Sequence, residues 1–428
     1  MSKFTKIFVA MAAISALAAP AFAITADFTG FLQVRGIMTE NLNGDDDRRD
    51  NGRFSDQRFR LFTHTALHEN VKAVFAIETD NVWGDTGIGN VGTDAKGQIE
   101  VKHVYLDFNI PWANTNVKAG SQYFKLGGGI IQADDGAGLQ VRYTPVKGQS
   151  LLLAWVKQVE GDTTSDASDS DYYHLQYDFD AAGFRLSPFV GYMNGTPAGT
   201  TLANVFARDF EAYFVGAEMS GKIGPVGVAA TAIFNSWDNN NSTVGAAAGE
   251  DNTAWAAMVK GTLPLGATTL TAEAARYGDD KVGAFVNVRG FNPFSEIAAG
   301  GRFDNRNAGA LGNTTTVAAG HTGFYMNWQY IKLGLEQKLN DKHKLSAYYI
   351  YAEEAEQRAK AAGDNPTRFT MGHEVNAYYD YAVSKGLTFT LAGAYLFADS
   401  DYQSRTGVNT YEGGDDAWKL GTALTYTF

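Results

Sequence analysis

The sequence has no cysteine and only 9 prolines among 428 residues. Disulfides therefore cannot hold the fold together, although an exported protein could use them. Beyond residue 23 there is no run of 18 or more apolar residues, which excludes a helical membrane span. Acidic residues outnumber basic ones by 47 to 35, and the net charge is −12. This balance disfavours nucleic acid as a partner, because phosphate binding needs a basic surface.

The N-terminal segment has the features of a secretory signal. Lys3 and Lys6 precede an apolar run over 7–19, and an Ala-Phe-Ala cleavage site follows at 21–23. The run is shorter than the ~20 residues that cross a bilayer, although an N-terminal anchor helix is the alternative. We predict a signal peptide over 1–23 and export of the remaining chain.

Apolar and polar residues alternate through most of the chain after residue 23. In the first such segment Phe28, Leu32 and Val34 fall on one side, and Gln33 and Arg35 on the other. Alternation with a period of two is typical of half-buried β-strands. Similar segments recur up to the C-terminus, so residues 24–428 are predicted to form one all-β domain.

The predicted connectors alternate in length, eight being short and nine long, and they join 18 strands. Amphipathic strands with short turns on one side and long polar loops on the other are typical of an outer-membrane β-barrel. We therefore predict a transmembrane antiparallel barrel with short periplasmic turns and long extracellular loops. Sixteen strands remain an alternative, as does a soluble sandwich or propeller. The predicted long connectors are 41–52, 81–98, 125–137, 161–171, 194–209, 238–252, 278–320, 353–371 and 399–416.

Aromatic residues cluster next to the predicted connectors and the C-terminus. In a membrane barrel such positions form girdles at headgroup level. The alternative is the general preference of aromatic residues for strands. The predicted girdle residues are Trp112, Trp155, Trp237, Trp418, Tyr192, Tyr381 and Tyr426.

The signal peptide, the strand rhythm, the start over 26–31 and the terminal Tyr426-Thr427-Phe428 together resemble a bacterial outer-membrane homotrimeric porin of the general diffusion type. The resemblance covers the whole mature chain in architecture, and it implies a homotrimer surrounded by outer-membrane lipid. A last strand that ends in Phe428, with Tyr426 two positions earlier, resembles the signal that the family's assembly machinery reads. These degenerate motifs indicate the class and not the solute.

In that family the third long loop usually folds inward and opposes acidic residues to a basic wall. Here the third long connector is 125–137, with Gly127, Gly128 and Gly129 followed by Asp134 and Asp135. Carboxylates that face guanidinium groups would create a field across the pore. Alternatively, each charge only solvates the lumen or pairs with a neighbour. The predicted inward basic residues are Arg35, Arg58, Arg60, Lys118 and Arg142.

Other chemistry is weakly indicated. The acidic runs 45–50 and 162–171 could bind divalent cations that bridge lipopolysaccharide phosphates, or they could simply be solvated. No metal-ligand spacing or nucleophile motif marks a catalytic site. We predict no enzyme, no metal and no cofactor.

The predicted function is passive diffusion of small hydrophilic solutes and ions through an outer-membrane porin. A substrate-selective barrel channel for sugars or carboxylates is the alternative, and a structural or adhesin barrel a third. A sugar channel should carry an aromatic track along its lumen. The predicted inward face has few aromatics, chiefly Phe31, Phe62, Tyr105 and Tyr378.

Overall fold

The computed structural model describes residues 25–42, 52–84, 99–160, 169–195, 210–239, 252–278, 285–286, 288, 294–297, 302, 325–326, 328–355, 370–399 and 414–428. In these ranges no helix is long and apolar enough to cross a membrane. The predicted signal peptide, the acidic run 45–50 and most of 162–171 lie outside the described residues.

Eighteen antiparallel strands form one sheet that closes on itself, because β1 pairs with both β2 and the last strand, β20. The prediction of 18 strands is confirmed, and the alternative of 16 is wrong. Two further strands, β14 (Phe285–Val286) and β15 (Tyr325–Met326), pair with each other in a separate two-stranded sheet. The barrel strands are β1 Thr25–Glu40, β2 Gly52–His68, β3 Val71–Val82, β4 Ile99–Ile110, β5 Thr115–Leu126, β6 Gln132–Tyr143, β7 Gln149–Val159, β8 Ser170–Ala181, β9 Phe184–Asn194, β10 Phe210–Ile223, β11 Val226–Asn239, β12 Asn252–Leu265, β13 Thr268–Gly278, β16 Trp328–Lys338, β17 His343–Glu354, β18 Thr370–Ser384, β19 Leu387–Ala398 and β20 Ala417–Thr427.

The two ends of the barrel differ in the length of their connectors. At the short-turn end, links such as 69–70 and 385–386 join neighbouring strands directly. At the long-loop end, β13 and β16 are separated by 279–327. The prediction of 125–137 as a long connector is wrong, because β5 continues to Leu126 and β6 begins at Gln132. The glycines and aspartates of 125–137 are typical of loops, but here they form the turn and the second strand of a β-hairpin.

Side chains on each strand alternate between the outside of the barrel and the lumen. On β4, Val104 and Leu106 are exposed on the outside while His103 is buried on the lumen side. An apolar outside and a polar inside are what a barrel in lipid requires. Exposed outward apolar residues include Phe28, Leu106, Val190, Val215, Val259, Leu333 and Leu424.

The predicted aromatic girdle is largely outward-facing, with one exception. Trp155 and Tyr426 are exposed on the outside, and Trp112 is exposed in the turn before β5. The assignment of Trp237 to the girdle is wrong. Its neighbour in register, Ala212, faces the lumen, and the indole is only 2% exposed. An aromatic residue near the end of a strand can face either the lipid or the lumen. Its position next to a connector therefore does not predict which face it is on.

The hydrophobic core lies inside the barrel rather than between layers. Inward aromatics on β5, β8–β11, β13 and β16 form it together with Ile130 and Ile131 of the β5–β6 turn. The expectation of few inward aromatics is therefore wrong. The rings that are most completely buried are Phe124, Tyr172, Phe214, Trp237 and Tyr277.

Candidate functional site: the lumen and its narrowest part

Three of the predicted basic residues form a ladder on the lumen side of β1 and β2. Arg35 donates to both oxygens of Asp56 at 2.8 and 2.6 Å. Arg58 binds Asp80 in the same bidentate way, at 2.6 Å for each bond. Arg60 pairs with Glu78. All three face inward as the alternation predicts, and each is bound to a carboxylate of the next strand.

The members of this ladder differ in their access to a solute. Arg35 and Asp56 are 5% and 0% exposed, so this pair belongs to the wall. The side chains of Arg58 and Arg60 keep 21% and 23% of their surface exposed. Of the three arginines in the ladder, these two therefore keep side-chain surface accessible from the lumen.

Lys118 and Arg142 also face inward, nearer the short-turn end. Lys118 lies with its ammonium 5.9 Å from the centre of the Tyr105 ring. Arg142 donates to Asp178 at 2.6 Å. Arg185, which the sequence did not single out, contacts the same carboxylate at 3.5 Å. Arg142, Arg185 and Asp178 thus form a second cluster of paired charges.

A β-bulge adds a cation that simple alternation does not place. The β3–β4 register skips Lys102, so Lys102 and His103 both reach the lumen side. Lys102 lies 2.9 Å from Asp135 and 3.3 Å from Glu78, and His103 Nε2 is 2.7 Å from the other oxygen of Asp135. Asp135 therefore meets Lys102 and His103, not a residue of the predicted basic set.

The β5–β6 hairpin leaves the wall and enters the lumen. Pairing of β5 with β4 ends at Ser121, and pairing of β6 with β7 ends at Ala137, while 122–126 and 132–136 continue to pair with each other. The tip contacts β10 and β11, which lie several strands further round the wall. We call residues 122–136 the inner hairpin.

Glycine at the hairpin tip is required by both conformation and space. Gly127, Gly128 and Gly129 have φ values of +58°, +66° and +86°, where side chains are strained. A Cβ on Gly128 would stand 2.6 Å from the hydroxyl of Thr231 on β11. The backbone of Gly128 also donates to Glu218 on β10. The three glycines thus allow the tip to lie against the far wall.

A second structure occupies the lumen between the inner hairpin and β16–β20. It comprises residues 288, 294–297 and 302 of the connector between β13 and β16, and we call it the inner segment. The backbone N–H of Val288 donates to the carbonyl of Ile131 at 3.0 Å. The Phe294 ring stacks on Tyr330 with centroids 4.3 Å apart. The two inner structures therefore touch each other and the wall.

Buried polar contacts attach the inner segment to β18. The carboxylate of Glu374 accepts the N–H groups of Glu296 and Ile297 at 2.7 and 3.2 Å, and it also accepts the hydroxyl of Ser295. Arg302 donates to both oxygens of Asp380 at 2.7 and 2.9 Å. Burial would lower the pKa of Arg302, but the hydrogen bond and charge of Asp380 raise it, so the guanidinium stays charged.

A buried ion pair attaches the same segment to β20. The Lys419 ammonium lies 3.2 Å from the Glu296 carboxylate, with the two side chains 3% and 2% exposed. The hydroxyl of Tyr378 donates to the same carboxylate at 2.6 Å. Pairing of this quality offsets part of the cost of removing both charges from water.

The predicted assembly residues lie at the seam that closes the barrel. Phe428 exchanges backbone hydrogen bonds with Gly30 of β1 at 3.0 and 3.1 Å. Its ring lies 6.5 Å from that of Phe59 and 5.9 Å from that of Tyr426. The last residue therefore covers the gap that Gly30 leaves in the outer surface.

The residues that the structure describes contain no candidate metal-binding site. Within them, no group of three or more His, Cys, Asp or Glu side chains could hold a metal ion. The contact of His103 with Asp135 brings two possible ligands together, and Lys102 occupies the other oxygen of Asp135. These polar side chains of the lumen bind one another.

Comparison with known proteins finds similarity in structure and not in sequence. No family model and no curated protein matches the chain. The solved structure of OccK8 (OprE) of Pseudomonas aeruginosa is similar with a TM-score of 0.56 at 13% identity, covering 94% of this chain and 98% of that one. A BenF-like porin from Pseudomonas fluorescens Pf-5 is similar with a TM-score of 0.57 at 12% identity and the same coverage. OccK2 (OpdF) of Pseudomonas aeruginosa, in complex with glucuronate, has a TM-score of 0.53 at 13% identity, again with 94% and 98% covered. The chain therefore has the fold of the 18-strand outer-membrane porins.

Proposed function

We propose that this protein is an outer-membrane channel through which small hydrophilic solutes and ions pass down their gradients. The carrying observation is a closed barrel with an apolar outside and a charged lumen, narrowed from within by the inner hairpin. In lipid, only helices and closed barrels satisfy every backbone N–H and C=O group. A chain that is built of strands and has an apolar outer surface therefore suits the membrane only as a closed barrel. Export by residues 1–23 and the orientation of the long loops toward the exterior belong to this proposal.

The narrowest part of the pore is proposed to lie between the inner hairpin and the wall of β2–β4. Asp135 supplies negative charge from the hairpin. Lys102, Arg58 and Arg60 supply positive charge from the wall, where Asp80 and Glu78 pair with the two arginines. In a narrow pore such charges create a stronger field than they would in bulk water, because less water screens them. Dipolar solutes would be oriented as they pass.

A substrate-selective channel is the second candidate. The observation that favours it is the inner segment, which narrows the lumen from the side opposite the inner hairpin and brings polar and aromatic groups together. One similar structure was solved in complex with glucuronate. General diffusion and selective passage differ in saturation, since a binding site makes flux level off as solute concentration rises.

Conductance measurements in planar bilayers test the proposal. We expect discrete current steps after insertion of the purified protein, and a conductance that follows salt concentration for a diffusion pore. Flux of sugars and of small carboxylates into liposomes then separates the two candidates by its saturation. A folded protein in bilayers that produces no current steps would show that the barrel is not a channel.

Replacing Asp134 and Asp135 together by asparagine should shift ion preference toward anions. The change leaves the positive charges of Lys102, Arg58 and Arg60 in place and removes negative charge where screening by salt is weakest. We expect the anion-to-cation permeability ratio to rise roughly two- to fivefold, read from reversal potentials. Asp27 and Asp180, which lie at the short-turn end, changed together to asparagine, are the matched control and should give a smaller shift. An unchanged reversal potential at low and high salt would contradict the assignment of this part of the inner hairpin to the narrowest part of the pore.

Assembly as a homotrimer also remains a prediction. We expect the native mass in mild detergent to be three times that of the mature chain, measured by native mass spectrometry or by light scattering corrected for detergent. A single species at the monomer mass over a range of protein concentrations would contradict it. Binding of lipopolysaccharide through the acidic loops stays a prediction as well, and 45–50 lies outside the described residues.

A further inference from the structure

We propose that the lumen contains a binding site for a neutral polyhydroxylated solute of monosaccharide size. The site is the cavity of about 230 Å³ between the inner segment and the inward faces of β12, β13 and β16–β18. This inference rests on the proposed channel function and names the solute class that the channel would hold. Three features of the cavity lead to it: balanced charge, a buried acceptor without a donor, and size.

The charges that line the cavity are equal in number and interspersed. Hydroxyl groups both donate and accept, so a surface that alternates cationic donors with carboxylate acceptors suits a polyol. The balance removes the net field that would be needed to select an ion by charge. The lining cations are Lys260, Arg302 and Lys332, and the lining carboxylates are Glu273, Glu296 and Glu336.

Several of these charges are already held in place by pairs within the protein. Lys260 lies 3.6 Å from Glu273, and Arg302 is bound to Asp380. Lys332 faces Glu273 in the β13–β16 register, with its ammonium 5.0 Å from the centre of the Tyr348 ring. An anionic solute would have to compete with these carboxylates, whereas a neutral hydroxyl can add to each pair.

The side chain of Asn376 is a second observation, independent of the charges, that points to a bound solute. It is only 2% exposed and lines the cavity from β18. Its side-chain amide hydrogen-bonds Glu374, while its Oδ1 has no hydrogen-bond partner among the described residues. Buried acceptors are almost always satisfied, so an acceptor of this kind on a cavity wall indicates a donor supplied from the cavity. A solute hydroxyl is such a donor.

The size and the apolar parts of the cavity fit one sugar ring. At ~30 Å³ for each molecule of liquid water, the cavity has room for about seven or eight waters, the size of a monosaccharide and not of a disaccharide. Rings of Phe294, Tyr348 and Tyr378 line it. They provide carbon surface for the C–H groups of a pyranose beside the charged pairs that meet its hydroxyls.

Single-channel recording with glucose tests the site in the full-length mature protein. We expect millisecond current interruptions that saturate with glucose concentration and that sucrose does not produce. Asn376→Leu should weaken the apparent glucose affinity at least tenfold. Asn116→Leu, at an inward position on β5 outside the cavity, is the matched control and should leave the affinity unchanged.

The same experiment with glucuronate distinguishes the solute class. The proposal is overturned if glucuronate binds tenfold or more tightly than glucose, because the cavity would then be an anion site centred on Lys332. It is also overturned if Asn376→Leu leaves the glucose affinity unchanged. Equilibrium binding of labelled glucose to the protein in detergent needs no conductance. Saturable binding there without channel activity would therefore reject the proposed function and keep the site, whereas conductance without binding would reject the site alone.

Discussion

Changing Glu374 to leucine is expected to raise the single-channel conductance roughly twofold, because the inner segment loses the contacts that hold it against β18. Leucine has a similar volume but no acceptor. The N–H groups of Glu296 and Ile297 and the hydroxyl of Ser295 would lose the carboxylate that accepts them. Each buried donor left without an acceptor costs ~1 to 3 kcal/mol. Movement of the inner segment into water relieves that cost and widens the lumen.

The barrel itself should survive this change. The ladder bonds of Glu374 with Ile350 and Leu396 come from the backbone and are untouched by the substitution. Folded yield from heat-modified gel mobility checks this point before conductance is compared. Glu374→Gln is the matched control, since the amide oxygen still accepts one or two of the four donors, which include the Asn376 amide, and it should give an intermediate conductance. A conductance equal to that of the unmodified protein in the leucine variant would mean that the inner segment does not bound the pore.

The alternation of apolar and polar residues was sufficient to predict which side chains of the barrel wall face the lumen. Because side chains on a strand change faces at every residue, the pattern around Arg58 and Arg60 fixed their inward orientation as soon as Phe59 and Leu61 were taken as lipid-facing. The carboxylates opposite them could not be chosen in the same way. Pairing of Arg60 with Glu78 depends on the register between β2 and β3, which local periodicity does not determine.

The interior of the barrel was less predictable, for two physical reasons. Lys102 lies in a bulge, which breaks the period of two without any sequence signal, so the partner of Asp135 was missed. The inner segment is attached by contacts between residues about 80 or more positions apart, such as Arg302 with Asp380 and Glu296 with Lys419. The pair Ile130 and Ile131 was a usable signal, because two apolar residues in a supposed loop indicate a buried tip.

Changing Phe428 to serine is expected to reduce the yield of folded protein in the membrane roughly tenfold or more, by weakening closure of the barrel at the β1–β20 seam. The Phe428 ring covers Gly30, which has no side chain, and lies beside the rings of Phe59 and Tyr426. Gly30 cannot compensate with a side chain of its own, because a Cβ there would collide with the carbonyl oxygen of Arg60. Serine would therefore leave backbone at the seam uncovered toward lipid.

Two measurements separate closure from recognition by the assembly machinery. Heat-modified mobility of protein made in cells reports both effects, whereas refolding from urea into detergent micelles, with no other protein present, reports closure alone. Phe428→Tyr keeps an aromatic ring over Gly30 and is the matched control, expected to fold in both settings. If the serine variant refolds in micelles as well as the unmodified protein but fails in cells, Phe428 acts through recognition and its ring is not needed for closure. Equal folded yields in cells for the serine and tyrosine variants would contradict both roles. Because the backbone of residue 428 keeps its two hydrogen bonds to Gly30 in every variant, any loss of yield belongs to the side chain.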